Sequence, residues 1–169
     1  MTNDNAVLIV EQIDETAQLH AHYFTNEDKA YEYICSKPSL IDAKLKLEFT
    51  RDVRELAELT GDINKTNPED FSDAMKEKLA SFNTIQEKGV GVLYDFLNAQ
   101  GPTTIVTGNP QFTLFGFNNR AESAQGVGLA NWLWDKRWFS GTSVYLLLGT
   151  AGVINFNALN FQNRAESSL

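Results

Sequence analysis

Phe117-Asn118-Asn119-Arg120-Ala121-Glu122-Ser123 and Phe161-Gln162-Asn163-Arg164-Ala165-Glu166-Ser167 are two copies of one seven-residue motif, identical at six positions. A match of that length is improbable by chance in a chain of 169 residues. Internal duplication is therefore the first hypothesis. At the same offset of 44, Phe112 matches Phe156 and Gly108 matches Gly152. Upstream, Gly89-Val90-Gly91-Val92 echoes Gly126-Val127-Gly128-Leu129. Each echo leads into an aromatic and apolar stretch, 93–97 or 132–134, and then into a Gly-led apolar run, 101–106 or 141–146. Two units follow, about 88–124 and 125–169. Each is expected to read Gly-Val-Gly, short helix, strand, turn, strand, motif. The second carries a longer connection around Asp135-Lys136-Arg137-Trp138. Two copies are too few for an open solenoid, which needs about three to bury a continuous core. A pseudo-symmetric pair, or pairing with copies from another chain, is the expectation.

Charge divides the chain at nearly the same place. Residues 1–100 carry 19 acidic and 10 basic side chains, whereas residues 101–169 carry 3 and 4. The first stretch resembles an ordinary solvated domain. The second has little charge to keep it apart from neighbours, so much of its surface should be covered. The formal net charge of -8 argues against nucleic acid, whose phosphates need clustered Lys and Arg. It disfavours an anionic membrane surface for the same reason.

Cys35 is the single cysteine, which excludes an intrachain disulfide and a cysteine-rich metal site. The polar, acidic start, Met1 to Ala6, lacks the basic n-region of a signal peptide. The most apolar run, Val144 to Leu159, is short for a membrane span and is interrupted by two glycines, Asn155 and Asn157. It reads as buried strands. The expected setting is cytoplasmic, or within a particle assembled there.

The first hundred residues alternate in character. Val7 to Val10 suits a buried strand, Asp14-Glu15 a turn, and the alternation of Leu19, Ala21 and Tyr23 with His20 and His22 a second strand. Thr25 is the expected cap of a helix running to about Ser36, before Pro38. Lys44 to Thr50 alternates strictly and reads as a strand, although Leu45, Phe49, Val53 and Leu56 also fit a helical stripe. Residues 51–60 read as helix, closed by Gly61. Asn67-Pro68 should start another helix, with Phe71, Met75, Leu79 and Phe82 on one face. The expected fold class is α+β. An N-terminal mixed α/β module with acidic helices covers 1–87, and a β-rich, internally duplicated module covers 88–169.

No nucleotide-binding or nucleophile-elbow motif is present. His20 and His22 share a strand face, but spacing implies no third ligand, so an ordinary sheet surface outweighs a metal. Cys35 reads as a small buried apolar side chain. The motif copies are the best candidates for function. Arg120 and Arg164 offer planar forks, Glu122 and Glu166 accept bidentately, and Asn119 and Asn163 do both. Such groups bind sugar hydroxyls or a small anion, with Trp132, Trp134 or Trp138 as an apolar platform. The competing reading pairs each arginine with a motif glutamate to fix the two units together. Four of the seven charges after residue 100 lie in these copies, which favours pairing. The expectation is a non-catalytic structural or interaction subunit, self-associating or in a larger assembly such as a virion, with no cofactor. Two rivals stand beside it. One is a module binding a sugar or nucleotide-like anion. The other is an acidic inhibitor of a basic target.

Overall fold

The computed structural model describes residues 5–12, 19–60, 69, 71–77, 80, 90–106, 111, 114, 117–127, 129–136, 139–148 and 152–169. Strands β1 (Val7–Gln12) and β2 (Leu19–Phe24) open the chain. Helix α1 spans Glu27–Cys35. Its cap is Asn26 rather than Thr25, because the Asn26 Oδ1 accepts from the Lys29 N–H at 2.9 Å. A short 3-10 turn, Pro38–Leu40, leads into α2, Ile41–Thr60.

Helix α2 corrects the strand expected over 44–50. Ala43, Leu47, Phe49, Thr50 and Val53 are buried at helical spacing. Lys46, which the alternation placed outside, is also buried. Its ammonium lies 3.1 Å from the Asp42 carboxylate one turn earlier. The i,i+4 pair removes the polar signal that made the segment look like a half-solvated strand. Residues 73–77 form a further helical stretch, begun by Ser72, whose Oγ accepts from the Met75 N–H. Phe71 and Met75 of the expected apolar face are buried. Asp14-Glu15, Gly61, Asn67-Pro68, Leu79 and Phe82 lie outside the described residues.

The remaining strands are β3 (Val90–Phe96), β4 (Gln100–Val106), β5 (Ser123–Val127), β6 (Leu129–Lys136), β7 (Ser140–Leu148), β8 (Gly152–Asn155) and β9 (Ser167–Ser168). The short helices expected over 93–97 and 132–134 are thus strands β3 and β6. On β6 the side chains alternate between two cores, and on β3 buried Leu93 alternates with half-buried Val92 and Tyr94, which is a period of two. The boundary expected at 124/125 falls inside β5.

Sheet I has the order β2-β1-β7-β6-β9, and sheet II the order β4-β3-β5-β8. All pairings are antiparallel except β1 with β7. In that parallel pair Val7 lies beside Ser143 and Ile9 beside Tyr145. Sheet I therefore draws strands from both ends of the chain. Each C-terminal stretch also sends a piece to the other's sheet: β8 closes sheet II, and Gln111 bridges Ser168 in sheet I.

Alternation on these strands builds three layers. Between the sheets lie Val10, Leu93, Val106, Ala124, Leu133, Val144, Leu146 and Ile154 with Phe117, Phe156 and Phe161. On the outer side of sheet I, Val7, Ile9, Trp132, Trp134 and Tyr145 meet Ala30, Ile34, Leu47, Phe49 and Val53 of the two helices. The molecule is an α+β stack of helices, sheet I and sheet II. No helix among the described residues is long and apolar enough to cross a membrane.

Candidate functional site

Both motif copies lie where the two sheets close on each other. Each follows the same local path. A buried phenylalanine, Phe117 or Phe161, anchors the start. The next turn needs a left-handed residue, and Asn119 (φ 58) and Asn163 (φ 57) supply it; Asn tolerates that region better than other side chains. The alanine after the arginine, Ala121 or Ala165, is fully buried, because the opposite copy passes directly over it. The Asn119 N–H donates to the Ala165 carbonyl at 3.0 Å, and the Asn163 N–H to the Ala121 carbonyl at 2.8 Å.

The side chains repeat this exchange. The Asn119 Nδ2 donates to Glu166 Oε1 at 2.7 Å, and the Asn163 Nδ2 to Glu122 Oε1 at 3.3 Å. The backbone carbonyls of the two glutamates also accept from the other stretch: Glu166 from Leu114, and Glu122 from Phe156. The cross-copy bonds thus come in reciprocal pairs.

The arginines do something else. Arg120 donates to Asp95 and Arg164 to Asp135, the latter at 2.7 Å. Each guanidinium also lies over its own motif phenylalanine, Arg120 over Phe117 at 5.1 Å and Arg164 over Phe161 at 5.5 Å. The expected Arg–Glu pairing between copies is therefore corrected. Arginine binds the aspartate of its own hairpin, β3–β4 or β6–β7, while asparagine and glutamate bridge the copies. The guanidinium reaches too far to serve the tight crossing, whereas the short amide fits it. The Asp95 hydrogen bond holds the Arg120 guanidinium above its ordinary pKa. The motif serines act alike. Ser123 Oγ accepts from the Ala99 N–H and donates to the Phe96 carbonyl; Ser167 Oγ accepts from the Phe139 N–H and donates to the Lys136 carbonyl. Each folds the tip of one hairpin down onto its sheet.

Those tips require glycine. Gly101 (φ +84) and Gly141 (φ +87) are left-handed, and a Cβ at Gly141 would collide with the Asp135 carboxylate. That carboxylate is fixed by Arg164 and by the Thr142 N–H. At Gly101 the colliding group is the Phe96 ring, which is exposed and can turn away. Gly141→Ala is therefore expected to lose about 1–3 kcal/mol of unfolding free energy in urea titration, and Gly101→Ala less. The reverse order would mean that Asp135 is not held as described.

Trp132 and Trp134 cannot be a ligand platform as expected. Both are fully buried beneath α2, with ring centroids 5.5 Å apart, and the Trp132 indole donates to the Ala43 carbonyl. Trp138 lies outside the described residues. Cys35 is exposed rather than buried, since it sits one position past Ile34 and off the Ala30/Ile34 stripe. His22 meets Tyr33 at a tilt, with ring centroids 4.9 Å apart, and its Nε2 lies 4.0 Å from Glu11. Among the described residues no cluster of three or more His, Cys, Asp and Glu could hold a metal ion.

Sequence reading missed Asp95, Asp135 and Tyr23. The two aspartates lie 40 apart, not 44, so the motif offset hides them; the matched tips Gly101 and Gly141, also 40 apart, carry the signal. Tyr23 is exposed and borders a cavity of about 260 Å³ with Leu8, Ser143, Asn160, Phe161 and Arg164.

Fold and contacts together define a class: an α+β protein whose two sheets are locked by reciprocal contacts between motif copies. No family model and no curated protein matches this chain. Among solved structures, it is similar to one described as "Evolution of the eye lens beta-gamma-crystallin domain fold", with a TM-score of 0.43 and 21% identity over 50% of this chain and 86% of that one.

Proposed function

We propose that this chain is a non-catalytic structural and interaction protein, built on a duplicated β unit and acting as a subunit of a homo-oligomer or larger assembly, of which a virion is one example. The observation that carries the reading is the reciprocal contact set. The Asn, Arg, Glu and Ser side chains of both copies hold hairpins and sheets in place. Groups spent in this way are not poised for proton transfer or nucleophilic attack.

A second reading has one observation in its favour. The cavity beside the second copy combines an arginine with Tyr23 and Phe161, a combination suited to a sugar or a nucleotide-like anion. Arg164→Ala separates the two readings. If pairing is the role, its stability falls, by up to about 1 kcal/mol for a partly exposed pair, and Arg120→Ala is destabilised as well. If ligand binding is the role, Arg164→Ala abolishes uptake of a nucleotide in calorimetry while Arg120→Ala does not. Sedimentation velocity of the purified full-length chain tests the assembly itself. A concentration-dependent multimer is expected, and a monomer at every concentration would sink it.

A further inference from the structure

We infer that the cavity beside the second motif copy is a binding cleft for one neutral sugar ring, a proposal that rests on the ligand-binding reading above and narrows it.

The cleft exists because sheet I extends past sheet II. Leu8 and Val10 of β1 pack toward the inter-sheet core. Their partners on β2, Tyr23 and Ala21, point the same way, yet both are exposed, Tyr23 by 63%. Sheet II does not reach beneath β2, so the Tyr23 ring overhangs the edge of the sandwich. Leu8, Leu159 and the buried Val144 and Phe161 give the cavity beside it an apolar lining. On sheet II the matching hairpin strand, β4, is an edge. The first copy therefore lacks the wall that β1 and β2 give the second.

Polar groups select the ligand. Arg164 is the one charged side chain among the described lining residues, and the Asp135 carboxylate balances it at 2.7 Å. A phosphate meets no uncompensated positive charge here. The same guanidinium has five N–H donors. One serves Asp135 and one the Asn160 carbonyl, which leaves donors for hydroxyl oxygens. The Asn160 amide, the Thr142 hydroxyl and the Tyr23 phenol each donate and accept. An exposed aromatic ring beside an apolar lining suits the C–H face of a pyranose, and the polar groups suit its hydroxyls. Size agrees. A volume of about 260 Å³ lies just under the roughly 300–1,000 Å³ of sites for drug-sized ligands. It admits one ring, not base, ribose and phosphate together. For so few contacting atoms the expected Kd is about 1–10 mM.

The test is a titration of the isotope-labelled full chain, followed by its backbone amide shifts in NMR. The probes are D-glucose, D-galactose, D-mannose and N-acetyl-D-glucosamine, each alone and up to about 50 mM, several times that Kd. AMP at the same concentrations is the anionic comparison. At least one sugar is expected to shift the Leu8, Thr142 and Phe161 amides. Tyr23→Ala should weaken it at least about tenfold, whereas Tyr23→Phe, which keeps the ring, should stay within about threefold. Tyr23 is exposed, so both variants should keep the native spectrum elsewhere. The methyl glycoside of the active sugar separates two sources, and either supports the cleft: binding it too points to the end of a glycan, and binding only the free sugar to a monosaccharide. Shifts from AMP but from no sugar overturn the sugar while leaving the ligand-binding reading intact. No shift from any probe overturns both. Sugar shifts that survive Tyr23→Ala unchanged overturn the cleft.

Discussion

Asp42→Ala is expected to remove about 3–5 kcal/mol of unfolding free energy, the range for breaking a buried ion pair from one side. Asp42 and Lys46 face the outer side of sheet I under α2, and both are nearly inaccessible. One carboxylate oxygen serves two partners: the Lys46 ammonium at 3.1 Å and the Tyr145 hydroxyl, which donates at 2.9 Å. Burial pushes the Asp42 carboxyl up and the Lys46 ammonium down, and each charge partly offsets the other's shift. Burial together with the neighbouring Asp42 carboxylate drives the Tyr145 hydroxyl well above its ordinary range. Removing Asp42 takes away the carboxylate that a buried ammonium and a buried hydroxyl share. Removing both charges leaves only the neutral Tyr145 hydroxyl without its acceptor, so Asp42→Leu/Lys46→Met should cost about 1–3 kcal/mol, less than Asp42→Ala. Chemical denaturation of both variants decides the matter. A single variant no weaker than the double one would mean that the Lys46 ammonium is satisfied without Asp42.

The next largest effect is expected at Trp134. Trp134→Ala should cost about 3–5 kcal/mol, the range for emptying a large aromatic site in a core. Its ring stacks on Trp132 and meets Phe139 edge-on at 5.2 Å. The helices cannot collapse into the gap without breaking the Trp132 bond to Ala43. Tyr94→Ala, on β3 of sheet II where the side chain is only half-buried, should cost only about 1 kcal/mol. The contrast measures what the helices do for one sheet and not for the other. If Trp134→Ala cost less than about 1 kcal/mol, its ring would be solvent-facing, and a role as ligand platform would return.

Much of the frame is legible from residue patterns. Val7 to Val10 and the alternation after Leu19 mark β1 and β2, since a period of two is local. The helix ending before Pro38 is marked because Pro clashes with the preceding turn. Lys44 to Thr50 misleads for an equally physical reason. Pattern reading assumes that charge means solvent, and Lys46 is neutralised by a residue one turn away. The stretches around Leu93 and Trp132 mislead through length, because short apolar runs fit either period.

The motif copies show the same division. Residue types alone establish that Asn, Arg and Glu in the two copies have equivalent work, and that few other charges are at hand to share it. A linear chain cannot say which arginine meets which carboxylate. Pairing depends on where the hairpins bring Asp95 and Asp135, and those lie at a different offset from the motif. Nor can it say that one sheet's outer face is buried under α1 and α2 while the other sheet leaves Ile105 and Val153 exposed. That asymmetry comes from β1 adding in parallel to β7 and carrying the helices to one side. Such a long-range pairing leaves no periodic trace, because the energy that selects it lies in packing between segments more than a hundred residues apart.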